Sequence, residues 1–229
     1  MSVSAPETEF DFRKSMKEVS AYPFIHTYLP VDRYIIRPPA SLVVKAVFKT
    51  RVTPNQLSLT SLVFAFLSAL AYAGARPAYF ALGGCLVLIS TIFDAADGML
   101  ARAKNMTSRY GAYLDLFLDR IADFVVLAGV SFGYFRYTRS YFFFILGLAA
   151  SGFYFLQLAL YYINLLYTRV EKRGEGAEAK SLAAFFIFIV SIVGRLDAIL
   201  AAVFLMSLLS VIFKLARFLR KGRAPKVQA

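Results

Sequence analysis

Four aspartates stand in a stretch where an apolar chain should not tolerate them. Asp94 and Asp97 lie in Asp94-Ala95-Ala96-Asp97-Gly98-Met99-Leu100-Ala101-Arg102. Asp115 and Asp119 lie in Gly111-Ala112-Tyr113-Leu114-Asp115-Leu116-Phe117-Leu118-Asp119. Apolar runs flank both, from Tyr79 to Phe93 and from Phe124 to Phe135. An ionised carboxylate inside a bilayer is costly, so a cluster of them is read first as a functional site. Oxygen donors without histidine or cysteine suit a hard cation such as Mg²⁺, Mn²⁺ or Ca²⁺. Four negative charges can hold two divalent ions, a recurrent arrangement for displacement at phosphorus. Arg102 and Lys104 add cationic groups suited to phosphate oxygens. Structural Asp–Arg pairing between helices accounts for one or two carboxylates, not for four in a mirrored pattern.

The spacing places these groups. Asp94, Asp97 and Ala101 follow i, i+3, i+7, and Gly111, Asp115 and Asp119 follow i, i+4, i+8, so each set shares a helix face. A short loop makes the two helices antiparallel. At 1.5 Å per residue, Asp94 and Asp119 both lie roughly 12–15 Å from that loop. Asp94 can then meet Asp119, and Asp97 can meet Asp115. Gly98, Ala101 and Gly111 are small enough to permit close approach of backbone or ligand.

The elements that carry them belong to a membrane chain. Of 229 residues, 59% are hydrophobic and only 17% charged, outside the usual balance of a soluble domain. Mean hydropathy is +0.61. The expected architecture is an all-α integral membrane bundle of six transmembrane helices with an N-terminal interfacial helix. Residues 1–52 form an N-terminal cytoplasmic or interfacial segment and residues 53–229 the six-span domain. Pro38-Pro39 opens the interfacial helix, with Val43, Val44, Val47 and Phe48 on one face and Lys45 and Lys49 on another. Thr53 then caps the first span, with Pro54 at its first position. The spans are expected at about 55–74, 78–104, 111–135 and 140–168, with residues 181–213 divided by Gly194-Arg195-Leu196-Asp197 into two more. Residues 169–180 are read as a charged loop. No cleavable signal peptide is expected. Cys85, the single cysteine, is read as a packing residue, and His26 as incidental.

Charge orients the bundle. An even span count puts both termini on one side. That side collects Lys104, Arg109, Arg169, Lys172, Arg173, Lys180 and the basic tail, whereas the other holds Arg76, Arg136, Arg139 and Arg195. The positive-inside rule makes the first side, with both termini and the carboxylates, cytoplasmic. The net charge of +12 is therefore read as orientation and attraction to anionic membrane lipids, not as nucleic-acid binding.

The pattern Asp-x2-Asp-Gly-x2-Ala-Arg-x8-Gly-x3-Asp-x3-Asp is complete here, and it resembles the signature of the CDP-alcohol phosphatidyltransferases. The resemblance runs from Thr53-Pro54-Asn55 through Asp119-Arg120-Ile121-Ala122-Asp123. It implies displacement of CMP from a CDP-lipid donor by the hydroxyl of a small polar alcohol, with attack at the phosphorus that carries the lipid. It implies that Asp94, Asp97, Asp115 and Asp119 ligate Mg²⁺ or Mn²⁺, two ions in all, and that Asp119 is also the general base. It implies that Gly98, Ala101, Arg102, Gly111 and Asn55 line the CDP site, and that the protein is a homodimer.

The acceptor is sought near the cytoplasmic ends of spans four and five. Arg169, Lys172, Arg173 and Lys180 stand there and suit a phosphorylated polyol such as inositol phosphate. Glycerol phosphate, serine and di-inositol phosphate are the alternatives. Span five carries no arginine, a departure from relatives that use phosphorylated acceptors. The wording Ser-Arg-Tyr-Gly-Ala-Tyr-Leu-Asp is similar to the inositol-phosphate and di-inositol-phosphate branch. A cation transporter built on the aspartates is the reading from another class. It requires polar groups to continue across the membrane, whereas Leu82–Ile89 and Val125–Val130 are apolar. Asp123 is expected to pair with Arg120 at i, i+3.

Overall fold

A computed structural model describes the backbone of residues 29–168 and 175–222 and the side chains of residues 29–163 and 180–216. His26 lies outside them. Among the described residues the chain is all helical. A short π-helical turn, Asp32–Ile36, runs into α1 (Arg37–Val47). Then follow α2 (Pro54–Ala73), α3 (Pro77–Ala103), α4 (Arg109–Thr138), α5 (Tyr141–Thr168), α6 (Glu175–Val193) and α7 (Leu196–Gly222).

Local chemistry sets most boundaries. At the start of α2, the Gln56 side chain accepts a hydrogen bond from the Thr53 backbone N–H at 2.9 Å, and Pro54 supplies a fixed φ at the first position. Pro77 does the same for α3. Gly194, at φ +77°, separates α6 from α7 where a side chain would be strained. Arg195 is exposed in that turn and grips the Asp197 carboxylate at 2.9 Å.

Several boundaries differ from the expectation. α6 begins at Glu175, so the second half of the expected charged loop is helical. Helix α4 extends beyond the expected 111–135 at both ends. Among the described residues, four helices are long and apolar enough to cross a membrane: Pro54–Ala73, Pro77–Ala103, Tyr141–Ile163 and Leu196–Ala216. The apolar part of α6, Lys180–Val193, is shorter. Helix α4 carries Asp115, Asp119, Arg120 and Asp123 in its first half.

Helix α2 packs against both α3 and α4, α3 against α6, and α5 against α7. Tyr72, Phe80, Val130, Leu196 and Ile199 form the centre of one core. Ala40 and Val44 of α1 join Leu57, Ala96, Met99 and Leu100 in a second, which shares the stretch of α3 that bears its aspartates. Lys45, on the far face of α1, and Lys49, just past its end, stay exposed. Small residues let α4 approach α2: a Cβ on Gly129 would lie 2.5 Å from the Ala69 Cα, and one on Gly133 would overlap the Tyr72 carbonyl. Hydroxyls link the helices at several depths. Ser61 meets Ser90 at 3.1 Å, Ser68 donates to the Gly83 carbonyl at 2.9 Å, and Tyr72 meets Ser191 at 2.7 Å. Such bonds contribute about 0.6 kcal/mol each in a bilayer and chiefly fix register.

Candidate active site

The α3–α4 hairpin is anchored before it is decorated. Lys104, just past α3, donates from Nζ to the carbonyls of Thr50 and Val52, at 3.0 and 2.8 Å. Ser108 caps α4 by accepting from the Gly111 N–H at 2.9 Å. These contacts tie the turn to the start of α2 and fix how deep each aspartate sits.

One carboxylate oxygen each from Asp94, Asp97 and Asp115 lie within 4.8 Å of one another. That separation suits three ligands of one cation, and the all-oxygen set suits a hard one. The cluster therefore fits the divalent metal expected from the sequence. Asp97 is the most buried of the three, 5% exposed, and the Ser58 hydroxyl of α2 donates to its Oδ2 at 2.6 Å.

Asp119 stands beside this trio and is held differently. Lys180, near the start of α6, places its Nζ 2.5 Å from Asp119 Oδ1 and 2.8 Å from Asp94 Oδ1. The expected Asp94–Asp119 pairing is thus realised through an ammonium between them. Arg120 reaches Asp119 at 3.7 Å and Asp123 at 3.1 Å, the latter pair as expected at i, i+3. The Tyr154 hydroxyl of α5 completes this side, donating to Asp123 at 2.5 Å and accepting from Arg120 at 2.9 Å. A crevice lined by Ser58, Ser61, Asp94, Asp115 and Asp119 opens where α2, α3 and α4 meet.

The other sequence candidates divide. Gly98 and Arg102 are in register: a Cβ on Gly98 would meet the guanidinium of Arg102 at 3.5 Å. Gly111 and Asn55 are likewise together, the Asn55 Oδ1 lying 3.8 Å from where a Gly111 Cβ would stand. Ala101 is half-buried on α3 and its carbonyl accepts from the Met106 N–H at 2.8 Å. Arg169, Lys172 and Arg173 lie outside the described residues. Lys180, expected with them at the loop, is instead among the carboxylates.

Several contributors escaped the sequence reading. Ser58 had a detectable signal. It begins a buried stripe with Ser61, Ala65, Ser68 and Tyr72 at helical spacing on an otherwise apolar span. Tyr154 and the pair Asp32–Arg37 had none, because what they contact includes residues on other helices.

An archaetidylinositol phosphate synthase from Pyrococcus horikoshii is 27% identical over 178 residues, covering 76% of this chain and 86% of that protein. A bifunctional IPC transferase and DIPP synthase from Aquifex aeolicus is 41% identical over 83 residues, covering 35% of this chain. The match spans only 18% of that longer relative. The crystal structure of Mycobacterium tuberculosis phosphatidylinositol phosphate synthase with CDP-DAG bound superposes with a TM-score of 0.62. It covers 83% of this chain and 97% of that one at 18% identity, a likeness of fold. The family model for CDP-alcohol phosphatidyltransferase matches residues 51–216, which include all four aspartates and Lys180, and the chain belongs to that family.

Proposed function

We propose that this protein transfers a phosphatidyl group from a CDP-diacylglycerol-like lipid to the hydroxyl of a polar polyol, releasing CMP, as a step of phospholipid biosynthesis. The observation that carries this reading is the meeting of Asp94, Asp97 and Asp115 within 4.8 Å beside Asp119. In the membrane the chain makes six spans, with α4 and α6 as the two that carry charge at one end. Both termini and the carboxylates face the cytoplasm, and the protein works as a homodimer.

Asp94, Asp97 and Asp115 are the residues to hold Mg²⁺ or Mn²⁺, with Asp119 sharing a second ion. When bound, such ions neutralise the pyrophosphate oxygens and the departing CMP. Asn55, Gly98, Ala101, Arg102 and Gly111 receive the CDP moiety, the glycines leaving room and Arg102 supplying charge. Asp119 accepts the proton of the acceptor hydroxyl as its oxygen attacks the lipid-bearing phosphorus. The P–O bond to CMP breaks, and the lipid product stays in the bilayer. Lys180 stands against Asp119, where its ammonium suits the phosphate of a phosphorylated acceptor. Arg169, Lys172 and Arg173 are proposed to assist it. Inositol phosphate is the favoured acceptor, because relatives bear the names archaetidylinositol phosphate synthase and phosphatidylinositol phosphate synthase.

The test is CMP release by purified protein from CDP-diacylglycerol with Mg²⁺ or Mn²⁺, against inositol phosphate, glycerol phosphate, serine and di-inositol phosphate. Release with inositol phosphate alone establishes the reading. Release only with another acceptor moves the specificity. No release with any, together with cation movement in liposomes, replaces the enzyme with a transporter.

A further inference from the structure

A buried ion pair stands at the start of α1, outside the aspartate signature in sequence. Asp32 is fully buried, 0% exposed. Its Oδ2 accepts from Arg37 Nε at 2.9 Å and its Oδ1 from the Ser181 hydroxyl at 2.7 Å. Asp32 and Ser181 are 149 positions apart. Removing one partner of such a pair is expensive, so its geometry is strongly specified. Ser181 directly follows Lys180 on α6. Fixing the Ser181 hydroxyl fixes the rotation of α6, and with it the direction of Lys180, about 100° round the helix. Lys180 is thereby aimed at Asp94 and Asp119.

We propose that Asp32 and Ser181 set the divalent-metal affinity of the carboxylate cluster by holding the Lys180 ammonium between Asp94 and Asp119 as a resident cation. The inference rests on reading that cluster as a metal site. Asp94 is the point of competition: it belongs to the trio within 4.8 Å and also to the Lys180 bridge. An ammonium and a divalent ion cannot share its oxygens without strong repulsion. Ser181 carries no charge, so its part in the lock acts through geometry. Without Lys180 the four carboxylates would repel one another in the metal-free protein. With it, the cluster stays assembled, at the cost of weaker metal binding.

The test is Mn²⁺ titration of the detergent-purified full chain, with free Mn²⁺ read by electron paramagnetic resonance and Asp97→Asn as the control for binding elsewhere. Lys180→Met is expected to bind Mn²⁺ about tenfold more tightly. Ser181→Ala is expected to tighten binding about threefold, the scale of one lost hydrogen bond. Ser181→Thr, which keeps the hydroxyl, is expected to keep the wild-type affinity. The double variant Lys180→Met/Ser181→Ala matches Lys180→Met alone. Unchanged affinity in Lys180→Met overturns the resident cation. Unchanged affinity in Ser181→Ala, or additive effects in the double variant, overturns the lock. Absence of Mn²⁺ binding in every variant removes the metal reading itself, and this proposal with it.

Discussion

The Ser58 hydroxyl on α2 donates to the Asp97 carboxylate on α3 at 2.6 Å, across 39 residues of sequence. This bond joins α2, which carries no carboxylate, to the α3–α4 pair that bears the four aspartates. Asp97 is the most buried member of the trio and Ser58 is its hydrogen-bond donor among the described contacts. Ser58→Ala is expected to leave a buried carboxylate short of a donor, at about 1–3 kcal/mol of stability. Thermal unfolding in detergent without metal reads this loss. Saturating Mn²⁺ should recover most of it, because a bound cation satisfies the same oxygen. Equal melting temperatures for variant and wild type would mean that water or another group serves Asp97 as well.

Asp119→Asn separates the proposed base from the proposed metal ligands. The trio Asp94, Asp97 and Asp115 is intact in this variant. CMP release should fall by roughly 10²–10⁴-fold, the range for losing a positioned base. Binding of CDP-diacylglycerol and of a first Mn²⁺ should persist. Turnover within a few-fold of wild type would take the base role away from Asp119.

Divalent ions should stabilise the fold as well as support turnover. Asp94, Asp115 and Asp119 line one crevice, Asp97 offers a carboxylate oxygen within 4.8 Å of those of Asp94 and Asp115, and among the described residues the Lys180 ammonium bridges Asp94 and Asp119. At a metal concentration about a hundredfold above Kd, linkage stabilises the folded state by about 2.7 kcal/mol. Chelation should therefore lower the melting temperature and abolish CMP release together, and Mg²⁺ or Mn²⁺ should restore both. A melting temperature indifferent to chelator in the wild-type chain would place the metal outside this cluster.

Gly129 and Gly133 test how the scaffold sets the site. Both lie on the face of α4 turned to α2, where a methyl group at either position meets backbone rather than a flexible side chain. Gly129→Ala and Gly133→Ala should each cost about 1–3 kcal/mol by overpacking. By pushing α4 from α2 they should also widen the crevice that Ser58 and Asp115 line. Gly152→Ala is the control, since a Cβ there meets nothing within 4 Å. Equal stability of all three would remove close approach as the reason for these glycines.

The parts of this architecture that the sequence announces are the locally determined ones. Pro54, Pro77 and Gly194 mark helix ends because each restricts or frees its own backbone. The four aspartates announce themselves because their cost in an apolar chain is independent of partners. The surroundings of Asp119 follow less readily: that Arg120 meets Asp123 is local, whereas that Tyr154 meets both is not. Lys180 reads as one more loop charge until α6 is seen to begin at Glu175 and to lie against α3. Its bond to Asp119 spans 61 residues, and no periodicity encodes such a contact. Asp32 and Arg37 fall in a stretch whose mixed polarity resembles an exposed segment, yet packing buries both.

Tyr154→Phe probes the side of Asp119 away from the trio. The Tyr154 hydroxyl holds Asp123 and Arg120 at once, and Arg120 lies 3.7 Å from Asp119. Without the hydroxyl, the Arg120–Asp123 pair remains at hand, so the fold should change by less than about 1 kcal/mol. The guanidinium, however, loses an acceptor that keeps it from settling fully on Asp119. A closer Arg120 makes the Asp119 carboxylate a poorer proton acceptor. A hydrogen bond to a charged group contributes about 1.5–3 kcal/mol, so kcat should fall by about tenfold or more. The KM for the CDP-lipid should stay constant, because the Tyr154 hydroxyl bonds Arg120 and Asp123, not Arg102, Gly98 or Asn55. Steady-state CMP release measures both parameters, and a rise in KM with kcat unchanged would assign Tyr154 to substrate binding instead.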